Sequence, residues 1–133
     1  MKKQNRTPMT TSLERYIERT LEVLNESLAW NIARLPNNTL ELQLLKYIEE
    51  TDEAIEAEKI SYQNFIEELA DVVITIGGIA RFDEQLAVEM FNDFLDSIDK
   101  YIYMDAIDYA KQKIKILYQR DYSNGWHHKE IIQ

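Results

Sequence analysis

Residues 62–81 constrain the fold more than any other part of this chain. Phe65, Ile66, Leu69, Val72, Val73, Ile76, Ile79 and Ala80 recur at helical spacing but cover far more than one stripe, and Ile74 puts an apolar group on the remaining side. A surface helix shows one apolar face, so a helix that is apolar nearly all round has to run through the middle of a domain. The same segment carries Glu68 and Asp71, three apart and hence on one edge, in line with Thr75 and close to Gly78. Burying such a pair is costly unless something neutralises it. The segment thus predicts a central helix with one edge that needs a cation or a proton.

The rest of the chain reads as helices that surround this one. Three Gly and two Pro are too few for the turns of an all-β domain, and good helix formers dominate the periodic stretches. The expected fold is an all-α bundle of four or five helices. The first helix is expected over 11–34, stopping before Pro36 because proline disfavours helix in its predecessor. Asn38 reads as the next N-cap, with Glu41 completing a capping box, and the second helix runs over 39–59. Ser61 caps the third helix over 62–81. Asp83 caps a fourth over 84–101, a break is expected near residues 103–105, and a fifth segment reaches Arg120. Residues 1–10 are expected to be a flexible arm, 11–122 a single helical domain and 123–133 a tail; no internal repeat or linker supports a second domain.

Charge and composition remove several classes of function. With 15 Lys and Arg against 24 Asp and Glu among 133 residues, the formal charge is −9, the wrong sign for binding nucleic acid through phosphate contacts. Zero cysteines exclude disulfides, thiolate nucleophiles and cysteine-bound metals. The apolar run from Val72 to Ala80 is nine residues, against roughly 20 for a bilayer span. The basic start, Met1 to Pro8, leads into a polar segment and not an apolar one, so it does not read as a secretory signal. A cytoplasmic protein with no membrane partner is the expectation.

Carboxylates are left as the abundant metal ligands. In the second helix, Glu50 and Glu53 are neighbours on one edge, while the core stripe is expected to be Leu44, Ile48 and Ile55, well away from that edge. Alone, the pair reads as a solvated acidic face. Beside a buried Glu68/Asp71 pair on an antiparallel neighbour, it reads as half of a four-carboxylate site for a hard divalent ion such as Mg²⁺, with Mn²⁺ as a substitute. A di-iron bundle would need Glu-x-x-His spacing on two helices, and no histidine precedes His127.

The run Leu45-Lys46-Tyr47-Ile48-Glu49-Glu50-Thr51-Asp52-Glu53, followed by Glu67-Glu68-Leu69-Ala70-Asp71-Val72-Val73, resembles the EExxE and ExxD signature of MazG-type all-α nucleoside triphosphate pyrophosphohydrolases. The resemblance covers about residues 28–81. It implies Mg²⁺-dependent cleavage of a nucleoside triphosphate between the α- and β-phosphates, giving a monophosphate and pyrophosphate, as in nucleotide-pool house-cleaning. Carried over by position, Glu50, Glu53, Glu68 and Asp71 match the metal ligands, and Glu49 is either a further ligand or the base that orients the attacking water. Family members tend to place base-contacting groups where this chain has Trp30, Asn31 and Arg34, and a basic residue and an asparagine for the phosphates, for which Asn92 and Lys100 are the available positions. Lys46 either contacts phosphate or pairs with Glu50 one turn away. Trp30 either stacks on a base or is core.

The remaining conspicuous residues read as structural. His127 and His128 decorate the tail, and the tyrosines from Tyr101 to Tyr122 read as packing or subunit interface. Gly77-Gly78 inside a helix suggests close approach of another helix or of ligand. The surplus of apolar surface on the third helix, with the family's habit of pairing subunits, leads to the expectation of a homodimer or a dimer of dimers. The competing functional class is a non-catalytic helical interaction protein that keeps the same bundle.

Overall fold

In the computed structural model, residues 8–120 are described, with side chains from residue 16 onward. They form five helices: α1 (Pro8–Arg34), α2 (Leu40–Glu58), α3 (Tyr62–Ile79), α4 (Glu84–Ser97) and α5 (Lys100–Leu117). No strand occurs among the described residues, so the all-α bundle is the observed architecture. No helix among them is long and apolar enough to cross a membrane. Residues 1–7, the tail, His127, His128 and Tyr122 lie outside the described residues, while residues 8–10 of the expected arm already belong to α1.

The helix starts follow side-chain capping, in which a short polar side chain satisfies one backbone N–H that lacks an intrahelical partner. Ser61 accepts from the Asn64 amide and Asp83 from the Leu86 amide, as expected. Two helix starts differ from expectation in the residue that caps them. Thr39, not Asn38, caps α2 by accepting from the Leu42 amide, which leaves Glu41 one position short of a capping box. The break expected near residues 103–105 falls at Ile98–Asp99, because Asp99 accepts from the Ile102 amide and starts α5 there.

α3 is the axis of the bundle and touches all four other helices. α2 runs antiparallel to it, since Gln43 reaches Thr75 and Glu50 lies at the level of Glu68 and Asp71. α5 runs parallel to it, with Tyr62 bonded to Asp105 and Lys113 paired with Asp71. α1 in turn lies parallel to α5, joined to it by Arg19 to Asp108 and by Lys111, which bridges Glu22 and Glu26. The Glu22 and Glu26 carboxylates hold the Lys111 ammonium above its ordinary pKa. Leu69, Val72, Val73, Ile74, Ile76 and Ile79 are all buried within the one chain. The apolar surplus of α3 is thus covered by its own neighbours, and it gives no ground for a second subunit.

α2 departs most from its sequence pattern. Its buried residues are Gln43, Lys46, Glu50, Ala54 and Ala57, whereas Ile48 and Ile55 of the expected core stripe are 55% and 54% exposed. Leu44 only packs at the margin of the core. The helix is turned so that its polar edge faces α3.

The paired glycines explain how closely α3 is packed. A Cβ on Gly77 would lie 2.6 Å from the Ser27 Cβ of α1, an atom held by the backbone that cannot swing aside. Gly78 faces the Asn31 and Gln43 amides. Alanine gains about 1 kcal/mol over glycine in helix propensity, yet Gly77→Ala is expected to lower the unfolding free energy by about 1–3 kcal/mol, the usual cost of overpacking. Urea denaturation checks this, and a stabilised variant would show that α1 and α3 are not in contact there.

Candidate metal centre

The inward turn of α2 brings its acids onto those of α3. Oxygens of Glu49, Glu50 and Glu53 lie within 4.8 Å of one another, and so do oxygens of Glu50, Glu68 and Asp71. The two groups share Glu50, which is 1% exposed. Its partner Lys46 is 4% exposed, with Nζ 3.0 Å from Glu50 Oε1 and 3.4 Å from Glu49 Oε1. Of the two readings for Lys46, pairing with Glu50 is the one present. On the other side, Lys113 of α5 places Nζ 3.0 Å from Asp71 Oδ1 and 3.3 Å from Oδ2. Thr75 donates its hydroxyl to the Asp71 carbonyl, and its own carbonyl accepts from Gln43, which ties α2 to the same turn of α3.

Among the described residues, these five carboxylates and two lysines carry a formal charge of −3. Like charges at such separations repel strongly in a partly desolvated place, so the arrangement favours a further cation. The donor set is all oxygen with no histidine or thiolate, which fits Mg²⁺ or Mn²⁺ and does not fit zinc. Glu50, Glu68 and Asp71 would hold such an ion on the inner side and Glu53 on the outer side, with Glu49 beside Glu53 as a further ligand or as the base.

From the cluster an acidic groove of about 450 Å³ opens between the end of α2 and the start of α3. Asp52, Glu53, Glu56, Glu67 and Glu68 line it, with Asn64, Ala57 and Ile60. An anionic ligand could enter this groove only together with cations that screen its walls.

The residues expected to bind a base or phosphates lie elsewhere. Trp30 is wholly buried in the core, so its ring is not available for stacking; packing is its role in this structure. Asn31 is also fully buried, donating to Gln43 and accepting from Asn38 and Arg81. Arg81 adds bonds to the carbonyls of Asn31 and Leu35, closing the α1–α2 turn over the end of α3. Arg34 donates to the carbonyls of Tyr118 and Arg120 at the end of α5. Asn92 is exposed on α4, beside an apolar cleft that meets α3 at Ile76, Gly77 and Ala80, roughly opposite the Glu68/Asp71 edge at about 100° per residue. Lys100 lies over the Tyr101 ring, about 20 Å along α5 from Lys113 at 1.5 Å per residue.

Sequence reasoning missed Lys113 and Gln43. Lys113 interrupts the buried α5 series Ala106, Ile107, Ala110, Ile114 and Leu117, and it stands three residues after Ala110 and seven after Ala106. A charged residue at a core position was the available signal. Gln43 opens the spacing 43, 46, 50, 54, 57, a continuous stripe of polar and small residues that was legible as a face. No family model matches this chain, and no curated protein or solved structure matches it significantly.

If the five acids share a cation, Glu68→Gln relieves repulsion in the metal-free protein and removes a ligand. Its melting temperature without divalent ions is expected to exceed that of the parent. The parent's rise in melting temperature on adding Mg²⁺ or Mn²⁺, which follows from binding to the folded state alone, should be largely lost. A Glu68→Gln protein that melts lower than the parent and still gains stability from Mg²⁺ would contradict the shared site.

Proposed function

We propose that this chain is a Mg²⁺-dependent nucleotide pyrophosphohydrolase that cleaves nucleoside triphosphates between the α- and β-phosphates, releasing a nucleoside monophosphate and pyrophosphate, in the cytoplasm. The observation that carries the reading is the convergence of Glu49, Glu50, Glu53, Glu68 and Asp71 in two groups that share Glu50, with Glu53 and Glu68 also lining the adjoining groove. These are the positions matching the EExxE and ExxD signature.

Bound Mg²⁺ would supply neutralisation of the triphosphate and a water of lowered pKa. Glu50 belongs to both groups of oxygens and anchors the site through the buried pair with Lys46. Glu68 and Asp71 fix its inner side from α3. Glu49 stands on the outer side, where its carboxylate is placed to orient the attacking water and accept its proton. Lys113 Nζ, held on Asp71, is a nearby cation that can turn to a phosphate oxygen, the part for which Asn92 and Lys100 are badly placed. Until cations are bound, the groove repels a triphosphate, so nucleotide should bind as its magnesium complex or after the metal.

The second reading is a helical interaction protein without catalysis, favoured by the exposed Leu45, Ile48 and Ile55 on the outer face of α2. Incubation of a panel of ribo- and deoxyribonucleoside triphosphates with Mg²⁺ separates the two. The enzyme releases pyrophosphate; orthophosphate would indicate another cleavage position, and no turnover of any nucleotide would favour the interaction protein.

Variants then assign roles. Glu49→Gln is expected to lower kcat about 10²–10⁴-fold, the scale of a lost general base, with Mg²⁺ affinity nearly unchanged in calorimetry. Glu53→Gln is expected to weaken Mg²⁺ binding itself. Much weaker Mg²⁺ binding by Glu49→Gln would make Glu49 a ligand.

A further inference from the structure

The inward turn of the polar edge of α2 has an outward counterpart. Leu45, Ile48 and Ile55 fall within an arc of about 80° at 100° per residue, opposite Gln43, Lys46, Glu50 and Ala57. They are 47%, 55% and 54% exposed, which makes an apolar stripe on a helix whose inner side is already occupied by α3. Asp52 lies within the same arc, and Glu56 and Glu58 stand along its margins, all exposed. Between Leu40 and Glu58 the helix carries seven carboxylates and one lysine, and that lysine is the buried Lys46. Lys59, just past the end, is paired with Glu56.

An exposed apolar stripe in a helix is the usual seat of a second amphipathic helix. Charge decides which one. A second copy of α2 laid on this face would bring two strongly acidic helices together, and like-charge juxtaposition disfavours a partner sharply. A helix with one apolar face and lysines or arginines along both edges would instead cover Leu45, Ile48 and Ile55 while its cations meet Asp52, Glu56 and Glu58.

We propose that the outer face of α2 is a docking surface for a basic amphipathic helix of a partner protein. The surface shares Asp52 and Glu56 with the wall of the acidic groove. A docked partner therefore brings positive charge to the groove mouth, where it alters access of cations and of anionic ligands. The proposal rests on exposure and charge alone and stands whether or not the chain hydrolyses nucleotides.

The test uses the full chain and two synthetic peptides of one composition, rich in leucine and lysine, one ordered so that the leucines form a helical face and one shuffled so that they do not. Binding is followed by fluorescence anisotropy at about 0.15 M salt, where long-range attraction between exposed charges is largely screened. The faced peptide is expected to bind at least about tenfold more tightly than the shuffled one, a preference equal to about 1.4 kcal/mol. Leu45→Gln/Ile48→Gln should abolish that preference, and Ile17→Gln/Leu21→Gln, at the rim of the α1–α4 cleft, should keep it. Asp52→Asn/Glu56→Gln, which leaves the apolar stripe intact, should weaken the faced peptide and keeps the test decisive if the first variant fails to fold. Equal binding of the two peptides, or parent-like binding by the charge variant, overturns the proposal. So does a parent that scatters light as a dimer and becomes monomeric in Leu45→Gln/Ile48→Gln, for then a second copy covers the face.

Discussion

The contact between α2 and α3 is made through carboxylates, and the rest of the structure is arranged around that fact. Glu50 is buried between Lys46 on its own helix and Glu68 and Asp71 on the next. Removing two charges from water and pairing them inside a protein is close to neutral at best for stability, so this interface is not what an unconstrained α2 would choose. A helix free to follow its hydrophobic pattern would bury Ile48 and Ile55, each able to contribute about 1.5–3 kcal/mol when fully covered. Their exposure marks a local preference overridden by the fold, which is where functional sites are expected.

What holds α2 in this orientation is visible at its two ends. At the start, Gln43 donates to the Thr75 carbonyl and accepts from Asn31 and Asn38, with Arg81 closing the turn. These are buried polar groups whose bonds cannot be surrendered to water, so rotating α2 would leave several of them unmet. Toward the end, Ala54 and Ala57 are small enough to let the helix axes approach. α3 answers with Gly78 at the level of Gln43 and with buried apolar residues, from Leu69 to Ile79, that pack into the core formed with α1, α4 and α5. The site is therefore held between α2 and α3, and Lys113 on α5 completes it from a third element.

Much of this was legible in the residues. The apolar circumference of α3 with Glu68 and Asp71 on one edge identified the central helix and its acidic edge, and Ser61 and Asp83 announced two helix starts. The acids of α2 were identified as well, but its inner face was misassigned, because hydrophobic periodicity is a rule about cheap burial and this interface does not follow it. Reading Ala54 and Ala57 with Gln43, Lys46 and Glu50 as one face would have recovered it. The break before α5 was placed a few residues too late, because helical periodicity runs on through Ile98 and Ile102 and its interruption depends on a single aspartate cap, Asp99. The roles given to Trp30, Asn31 and Arg34 were not recoverable from spacing, since burial and hydrogen-bond partners come from elements remote in sequence.

If the polar inner face of α2 serves ion binding and not stability, replacing its buried pair with apolar groups of similar size leaves the fold intact and removes the response to the ion. The measurement is the unfolding free energy in urea of Lys46→Met/Glu50→Leu beside the parent, without divalent ions. Retained or increased stability, by up to about 4 kcal/mol as found when buried ion pairs give way to well-packed apolar groups, is expected, together with loss of the Mg²⁺-induced rise in melting temperature. A double variant about 3 kcal/mol or more less stable than the parent would contradict this reading, because the pair would then be a structural element in its own right.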